Sequence, residues 1–283
     1  MTISIAEALR EAALALDHAG VADARREASS LLSHITGRDR TFLISHSEDL
    51  LDKRELRLFV AAIARRAAGE PAQYITGVQD FYGRSFRVTP DVLIPRPETE
   101  LLVEAALGVM KEEAFVCDVG TGSGCIAVTL LCERTDARAV AIDISEAALV
   151  VARENARELG VEDKILLRVS DCFAALDRST DRFDLIVSNP PYVSAKALPG
   201  LQREVRDHEP LVALTPGGDG LGMIRRLLTE APDFLRANGR LLMEIGFDQG
   251  DTIRELINSS LWTLDNILPD LQGIPRIVVL QKR

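Results

Sequence analysis

Apolar residues in the N-terminal quarter of the chain recur only at helical spacing. Ile5, Leu9, Ala12 and Leu16 share one side of a helix, which Ser4 and Glu7 open as a capping box. Asp23 stands where it can cap a second helix running through Leu32. A later helix places Leu56, Phe59 or Val60, and Ile63 on one side, with Arg54, Arg57, Arg65 and Arg66 opposite, where a solvated face is expected and docking of an acidic partner is the alternative. A small helical bundle over residues 1–73 is predicted, a candidate recognition domain. The pattern changes after Gly69-Glu70-Pro71. Tyr74, Ile75, Phe81, Phe86 and Val88 alternate with Gly77, Gly83 and Pro90, which predicts a β-hairpin linker over 74–95. Ile94-Pro95-Arg96-Pro97 then starts a helix that runs to about Met110, since proline suits a first helical turn.

Beyond residue 114, short β-branched runs alternate with helical stretches. Strands are predicted at 114–119, 139–143, 165–169, 183–188 and 240–245, and helices near 125–132, 146–159, 221–235 and 249–258. Such alternation implies an α/β domain of parallel strands joined by crossover helices, here residues 96–283. The two last runs, 262–268 and 276–281, leave no room for a helix between them and should pair as a hairpin. The chain has no internal repeat or low-complexity segment.

Composition narrows the function. A length of 283 residues calls for one large domain plus a smaller one. The longest apolar runs, such as 126–131, fall far short of the ~20 residues of a membrane span, and the N-terminus lacks a basic start and apolar stretch. A soluble, cytoplasmic protein without membrane contact is expected. Cys117, Cys125, Cys132 and Cys172 lack the paired spacing of a zinc site, so reduced thiols and no metal are expected. A net charge of -10 disfavours binding along a nucleic-acid backbone and suits a protein or small-molecule substrate.

The chemistry concentrates in two segments. The strand ending Phe115-Val-Cys-Asp-Val119 runs into Gly120-Thr121-Gly122-Ser123-Gly124, with a helix directly behind it. Three glycines permit a tight turn and let a ligand approach the backbone N–H groups, at the strand end where open parallel sheets bind ligands. Asp143 ends the next strand nineteen residues after Gly124, the spacing at which a carboxylate accepts the hydroxyls of a ribose. A dinucleotide fingerprint would put its third glycine where this chain has Cys125. The arrangement instead resembles the first motif of methyltransferases that use S-adenosyl-L-methionine. Asp171 closes the third strand, where it can accept from an adenine amino group or cap the next helix, with Cys172 and Phe173 flanking the ring.

The second segment is Asn189-Pro190-Pro191-Tyr192, directly after a hydrophobic strand. Two prolines donate no N–H and stiffen the chain, leaving fixed acceptors. A carboxamide nitrogen is a poor nucleophile because its lone pair is delocalised. If the Asn189 side-chain oxygen and the Pro190 carbonyl hold its two hydrogens, that lone pair can be turned towards a methyl group. Tyr192 would stack on the planar substrate group.

These residues carry a resemblance through nearly all of the chain to the PrmC/HemK family, the protein-(glutamine-N5) methyltransferases of class-I peptide chain release factors. Beside the glycine turn and Asn189-Pro-Pro-Tyr192, it includes Glu70-Pro71 with Tyr74 and Gly77, and Ile94-Pro-Arg-Pro-Glu-Thr-Glu100. His208-Glu-Pro210, Gly217-Gly-Asp-Gly-Leu221, and Glu244 with Gly246 and Gln249 complete it. The resemblance implies a helical N-terminal domain, a hairpin linker and a Rossmann-like, seven-stranded class I methyltransferase domain. Gly120 to Gly124, Asp143, Cys172 and Asn189 would contact S-adenosyl-L-methionine, and Asn189 to Tyr192 the glutamine of a Gly-Gly-Gln motif. The chain departs from the family at Cys172, where relatives place an aromatic residue and Phe173 is the expected substitute. His208 and Glu209 are expected in a loop over the site. The implied partners are release factors, met by a monomer in translation termination. An adenine-N6 DNA methyltransferase uses the same motif on a flipped base, but no segment here is long and basic enough to read DNA. A non-enzymatic nucleotide-binding regulator would keep the glycine turn and Asp143 without needing Asn189 and Pro190.

Overall fold

The computed structural model describes residues 3–283. The chain forms two compact units, one of the residues up to Val78 with Gln202–His208, the other of Gln79–Leu201 with Glu209–Arg283.

In the first unit, α1 (Ile5–His18), α2 (Ala24–Thr36), α3 (Arg40–Ser45), α4 (Lys53–Ala67) and α5 (Ala72–Thr76) follow in order. Ile5, Leu16, Leu31, Leu32, Leu43 and Phe59 fill their common core. Ser4 accepts the Glu7 N–H, half of the box expected there, while the complete box lies at Asp52 and Glu55 at the start of α4. Asp23 makes no side-chain cap. Its backbone is left-handed (φ 51°), whereas Ser4, Asp39 and Asp52 cap from the extended conformation that aims a side chain at the first turn. α2 continues past Leu32 to Thr36, where Gly37 ends it. On α4 Phe59 is the core residue and Val60 is exposed. Arg66 is not on a solvated face either: its buried guanidinium pairs with Glu27 at 2.8 Å and Glu204 at 2.7 Å. Tyr74 and Ile75, expected in the hairpin, lie in α5, which Pro71 opens and Gly77 (φ 78°) closes.

From Gln79 the second unit takes in the hairpin of β1 (Val78–Phe81) and β2 (Arg84–Arg87), whose Phe81 and Phe86 bury against each other edge to face. A 3₁₀ turn at Pro97–Thr99 leads into α6 (Glu100–Val109). Then come β3 (Phe115–Val119), α7 (Cys125–Glu133), β4 (Arg138–Asp143), α8 (Glu146–Glu158), β5 (Ile165–Val169) and β6 (Phe183–Ser188). α9 (Arg203–His208) belongs to the first unit, and α10 (Leu211–Leu214), α11 (Gly222–Glu230), β7 (Leu235–Glu244), α12 (Gly250–Leu256), β8 (Trp262–Pro269) and β9 (Pro275–Lys282) complete the chain. Helix α11 stops before Leu235 because a proline-bearing 3₁₀ turn, Ala231–Asp233, breaks it and lets β7 begin early.

The sheet has seven strands in the order β5-β4-β3-β6-β7-β9-β8, with β9 antiparallel to both neighbours and the other pairings parallel. Alternate residues of its central strands feed two cores: Cys117, Val140, Ile186 and Leu241 face one side, Val116, Ala139, Leu185 and Leu242 the other. Burial on both faces explains why these strands read as continuous apolar runs. From β3 the chain winds outward through β4 and β5, then returns to lay β6 on the other side of β3. The crevice at the carboxyl ends of β3 and β6 is therefore the switch point of the sheet. No helix among the described residues is long and apolar enough to cross a membrane.

Candidate active site

The switch point holds a cavity of about 390 Å³, within the usual range for ligand sites. Val119, Gly120, Thr121, Gly122 and Ser123 form one wall. Gly120 and Gly122 have φ of 75° and 55°, and a Cβ on either would project into open space. Behind the turn, Gly124 (φ 80°) lets α7 pack closely, since a Cβ there would approach Ala152 to 3.2 Å. Asn155, buried on α8, donates to Ser123 O at 2.8 Å and to Arg87 O at 3.0 Å, tying the glycine turn to β2.

Asp118 lies beneath the turn. Its Oδ2 accepts from Thr121 Oγ1 at 2.7 Å and from Ala127 N at 3.3 Å, while Oδ1 is buried without a partner. Burial pushes its carboxyl up to about 7 against those two hydrogen bonds. Asp143, at the end of β4, lines the cavity and accepts from Gly122 N (2.8 Å) and Ser145 N (2.9 Å). Burial raises its pKa, opposed by those N–H donors. Each oxygen keeps a second lone pair for a ligand hydroxyl. Ser123 Oγ, also in the wall, is buried without a partner. An orphaned hydroxyl, a strand-end carboxylate and an open glycine turn suit a nucleoside with a polar tail.

On the β6 side, Ser188 Oγ donates to Val119 O at 2.7 Å and holds the exits of β3 and β6 together. Asn189 and Pro191 line the cavity. Asn189 Nδ2 donates to Thr99 Oγ1 at 3.1 Å, and Thr99 Oγ1 donates to Glu244 Oε2 at 2.7 Å. Tyr192 donates its hydroxyl to Glu244 Oε1 at 3.2 Å, and Gln249 Nε2 donates to Tyr192 O at 3.0 Å. Burial raises the pKa of the Glu244 carboxyl, while the two hydroxyls and Arg276 lower it. Burial, then the carboxylate of Glu244, raises that of Tyr192. Gly220 (φ 83°) closes the arrangement, because a Cβ there would run into Tyr192 O and lie 2.9 Å from Ser194 N.

Gly120 to Ser123, Asp143, Asp171, Cys172, Asn189 and Pro191 thus meet around one cavity. Gly124, Pro190, Tyr192 and Phe173 do not form its wall. Phe173 is the clearest departure. It is 2% exposed and stacks on Phe234 at 4.8 Å, because the left-handed backbone of Cys172 (φ 51°) turns the next side chain into the core. Asp171 reaches the cavity, but Arg226 Nη1 holds its carboxylate at 2.6 Å. Glu209 is buried, accepting from Ile94 N and from Arg96, and so anchors the segment before the 3₁₀ turn; His208 ends α9 in the first unit. Thr99, Glu244 and Gln249 emerge as supports of the Asn-Pro-Pro-Tyr corner. Their sequence signal was only their place in the family pattern.

A cavity at the switch point, beside a glycine turn with Cys125 where a dinucleotide fingerprint has its third glycine, fits the Rossmann-like methyltransferase class to which the chain belongs, and S-adenosyl-L-methionine is its cofactor. Two solved structures support the fold alone. A methyltransferase from Pyrococcus furiosus is 17% identical with TM-score 0.53, covering 77% of this chain and 96% of that one. A ribosomal protein L11 methylase from Lactobacillus delbrueckii subsp. bulgaricus is 20% identical with TM-score 0.51, covering 72% and 90%. Residues 7–77 match the PrmC N-terminal domain and residues 97–261 the methyltransferase small domain. The release factor glutamine methyltransferase of Cereibacter sphaeroides is 49% identical over 96% of each chain, and that of Koribacter versatilis 45% identical over 95% of this chain and 96% of its own. The chain belongs to the release factor glutamine methyltransferase family.

Proposed function

We propose that this enzyme transfers the methyl group of S-adenosyl-L-methionine to the side-chain amide nitrogen of the glutamine in the Gly-Gly-Gln motif of class-I peptide chain release factors. The observation that carries the reading is the presence of Asn189 and Pro191 in the same cavity wall as Gly120, Gly122 and Asp143, at a corner whose two prolines have no N–H to offer. Close relatives bear the name of this activity. Bound in the cavity, the cofactor would supply an electrophilic methyl on a sulfonium, the carbon–sulfur bond being exchanged for the new nitrogen–carbon bond and the sulfur departing as a neutral thioether. Asn189 Oδ1 and the Pro190 carbonyl each accept one hydrogen of the substrate amide and so fix its plane. Gly120 to Ser123 and Asp143 hold the nucleoside, and Tyr192 braces the corner. Orientation replaces a strong base: the surplus proton is acidic once the nitrogen is methylated, and it passes to water.

The reading extends to a monomer working in the cytoplasm on a protein rather than on DNA, in keeping with the net charge of -10. Incubation with purified release factor and methyl-labelled cofactor, followed by mass spectrometry, tests it. One methyl on the Gly-Gly-Gln glutamine is expected, and Asn189→Ala should lower turnover by roughly 100-fold. An unmodified glutamine with the wild-type enzyme refutes the substrate assignment; unchanged turnover in the variant refutes the role of Asn189.

A further inference from the structure

We infer that Thr99 and Glu244 act as positioning residues that decide which end of the Asn189 carboxamide faces the substrate; this rests on the reading that Asn189 Oδ1 accepts a substrate hydrogen. A carboxamide is nearly symmetric in shape but not in chemistry, because one end accepts and the other donates twice. Turned the wrong way, Asn189 would oppose the substrate's N–H groups with N–H groups of its own, and the amide could not be gripped.

The hydrogen-bond chain leaves one orientation. Thr99 has a single hydroxyl proton, and Glu244 Oε2 lies 2.7 Å from its oxygen, at hydrogen-bond distance. Tyr192 directs its own hydroxyl at the other oxygen, Oε1. Two donors on two oxygens are the complement of an acceptor-only carboxylate. With its proton committed to Glu244, Thr99 Oγ1 can only accept from its remaining neighbour, which is Asn189 at 3.1 Å. The NH₂ end of Asn189 must therefore face Thr99, and Oδ1 is left for the cavity that Asn189 lines. The opposite polarity would require the Thr99 proton to turn from Glu244 to Asn189. Glu244 Oε2, 1% exposed, would then lose the hydroxyl donor that offsets its burial, with the Thr99 oxygen still 2.7 Å away.

The three residues come from separate places: Thr99 from the turn before α6, Asn189 from the end of β6 and Glu244 from the end of β7. Thr99 and Glu244 are both almost wholly buried. The same carboxylate orders both ends of Asn189-Pro190-Pro191-Tyr192.

Thr99→Val keeps the shape and removes the hydroxyl, whereas Thr99→Ser keeps the hydroxyl. Thr99→Val should lower kcat about 10- to 100-fold with KM for the release factor and cofactor affinity within about threefold, and Thr99→Ser should recover turnover to within about threefold of wild type. In an Asn189→Ala background, Thr99→Val should cost nothing further. Wild-type turnover in Thr99→Val, equal impairment of the Val and Ser variants, or additive losses in the double variant would each overturn the inference. Neutron diffraction from crystals of the wild-type protein decides the polarity without any substrate. Both deuterons are expected on the Asn189 atom facing Thr99; deuterons on the cavity-facing atom overturn the inference even if the release factor proves a good substrate. Failure of wild-type enzyme to methylate release factor, with the deuterons facing Thr99, would instead fault the substrate assignment.

Discussion

Gly217 and Gly220 offer a matched pair of substitutions that separates backbone strain from displacement of the Asn-Pro-Pro-Tyr corner. Both are left-handed, with φ of 81° and 83°. An alanine Cβ at Gly217 would meet nothing within 4 Å, so Gly217→Ala pays only the left-handed penalty, about 1–2 kcal/mol. At Gly220 the same Cβ would run into the carbonyl oxygen of Tyr192 and lie 2.9 Å from Ser194 N, both backbone atoms that no rotamer change can move aside. Overpacking of that kind adds about 1–3 kcal/mol, giving a total of roughly 2–5 kcal/mol. The strain is relieved by pushing the chain at 192–194 outward, and a shift near 1 Å at a positioned group lowers turnover about 100-fold. Denaturant unfolding of the two variants and their kcat on release factor provide the comparison. Gly220→Ala should be the less stable by about 1–3 kcal/mol and the far slower enzyme, while Gly217→Ala keeps near-normal kcat. Equal stability and equal kcat in the two variants would show that Gly220 is kept for its φ alone and that the close approach to Tyr192 plays no part in catalysis.

Asp118 predicts a pH-dependent stability. Its carboxyl is pushed up to about 7 in the folded protein from an ordinary 3.8, so the folded state keeps a proton that the unfolded chain releases. Stabilisation by that proton is complete below 3.8 and is lost as pH rises through about 7, at up to about 1.4 kcal/mol per pH unit across the window. Asp118→Asn, neutral throughout, should gain on wild type in thermal melts without added ligand as pH goes from 4 to 8; parallel pH profiles would count against a buried, protonated Asp118. Asp143→Ala should weaken cofactor binding by about 1–3 kcal/mol in calorimetry, through the lost ligand hydrogen bonds and the freed Gly122 N–H. Equal affinity would remove Asp143 from the proposed cofactor contacts.

Local pattern was enough for much of the molecule. The alternation of β-branched runs and amphipathic stretches located the strands of the main sheet, because alternate burial on a two-faced sheet leaves its mark residue by residue. The glycine turn and Asn189-Pro190-Pro191-Tyr192 were equally legible, since tight turns and diproline corners demand particular residue types. Helix ends were less so: Asp23 has the right side chain for a cap but the wrong backbone, and Tyr74 and Ile75 have strand-like composition in a segment too short for periodicity to decide. Tertiary structure alone decided the rest. Arg66 looked solvated until Glu27 and Glu204, 39 and 138 positions away, gave it partners. Phe173 looked like a ring for the adenine until the turn at Cys172 sent it onto Phe234. Thr99 and Glu244 lie 145 residues apart and touch because α6, which Thr99 precedes, packs against β7, which Glu244 ends. Periodicity records what each residue does to its neighbours along the chain, but hydrogen bonds between the ends of different strands depend on strand order.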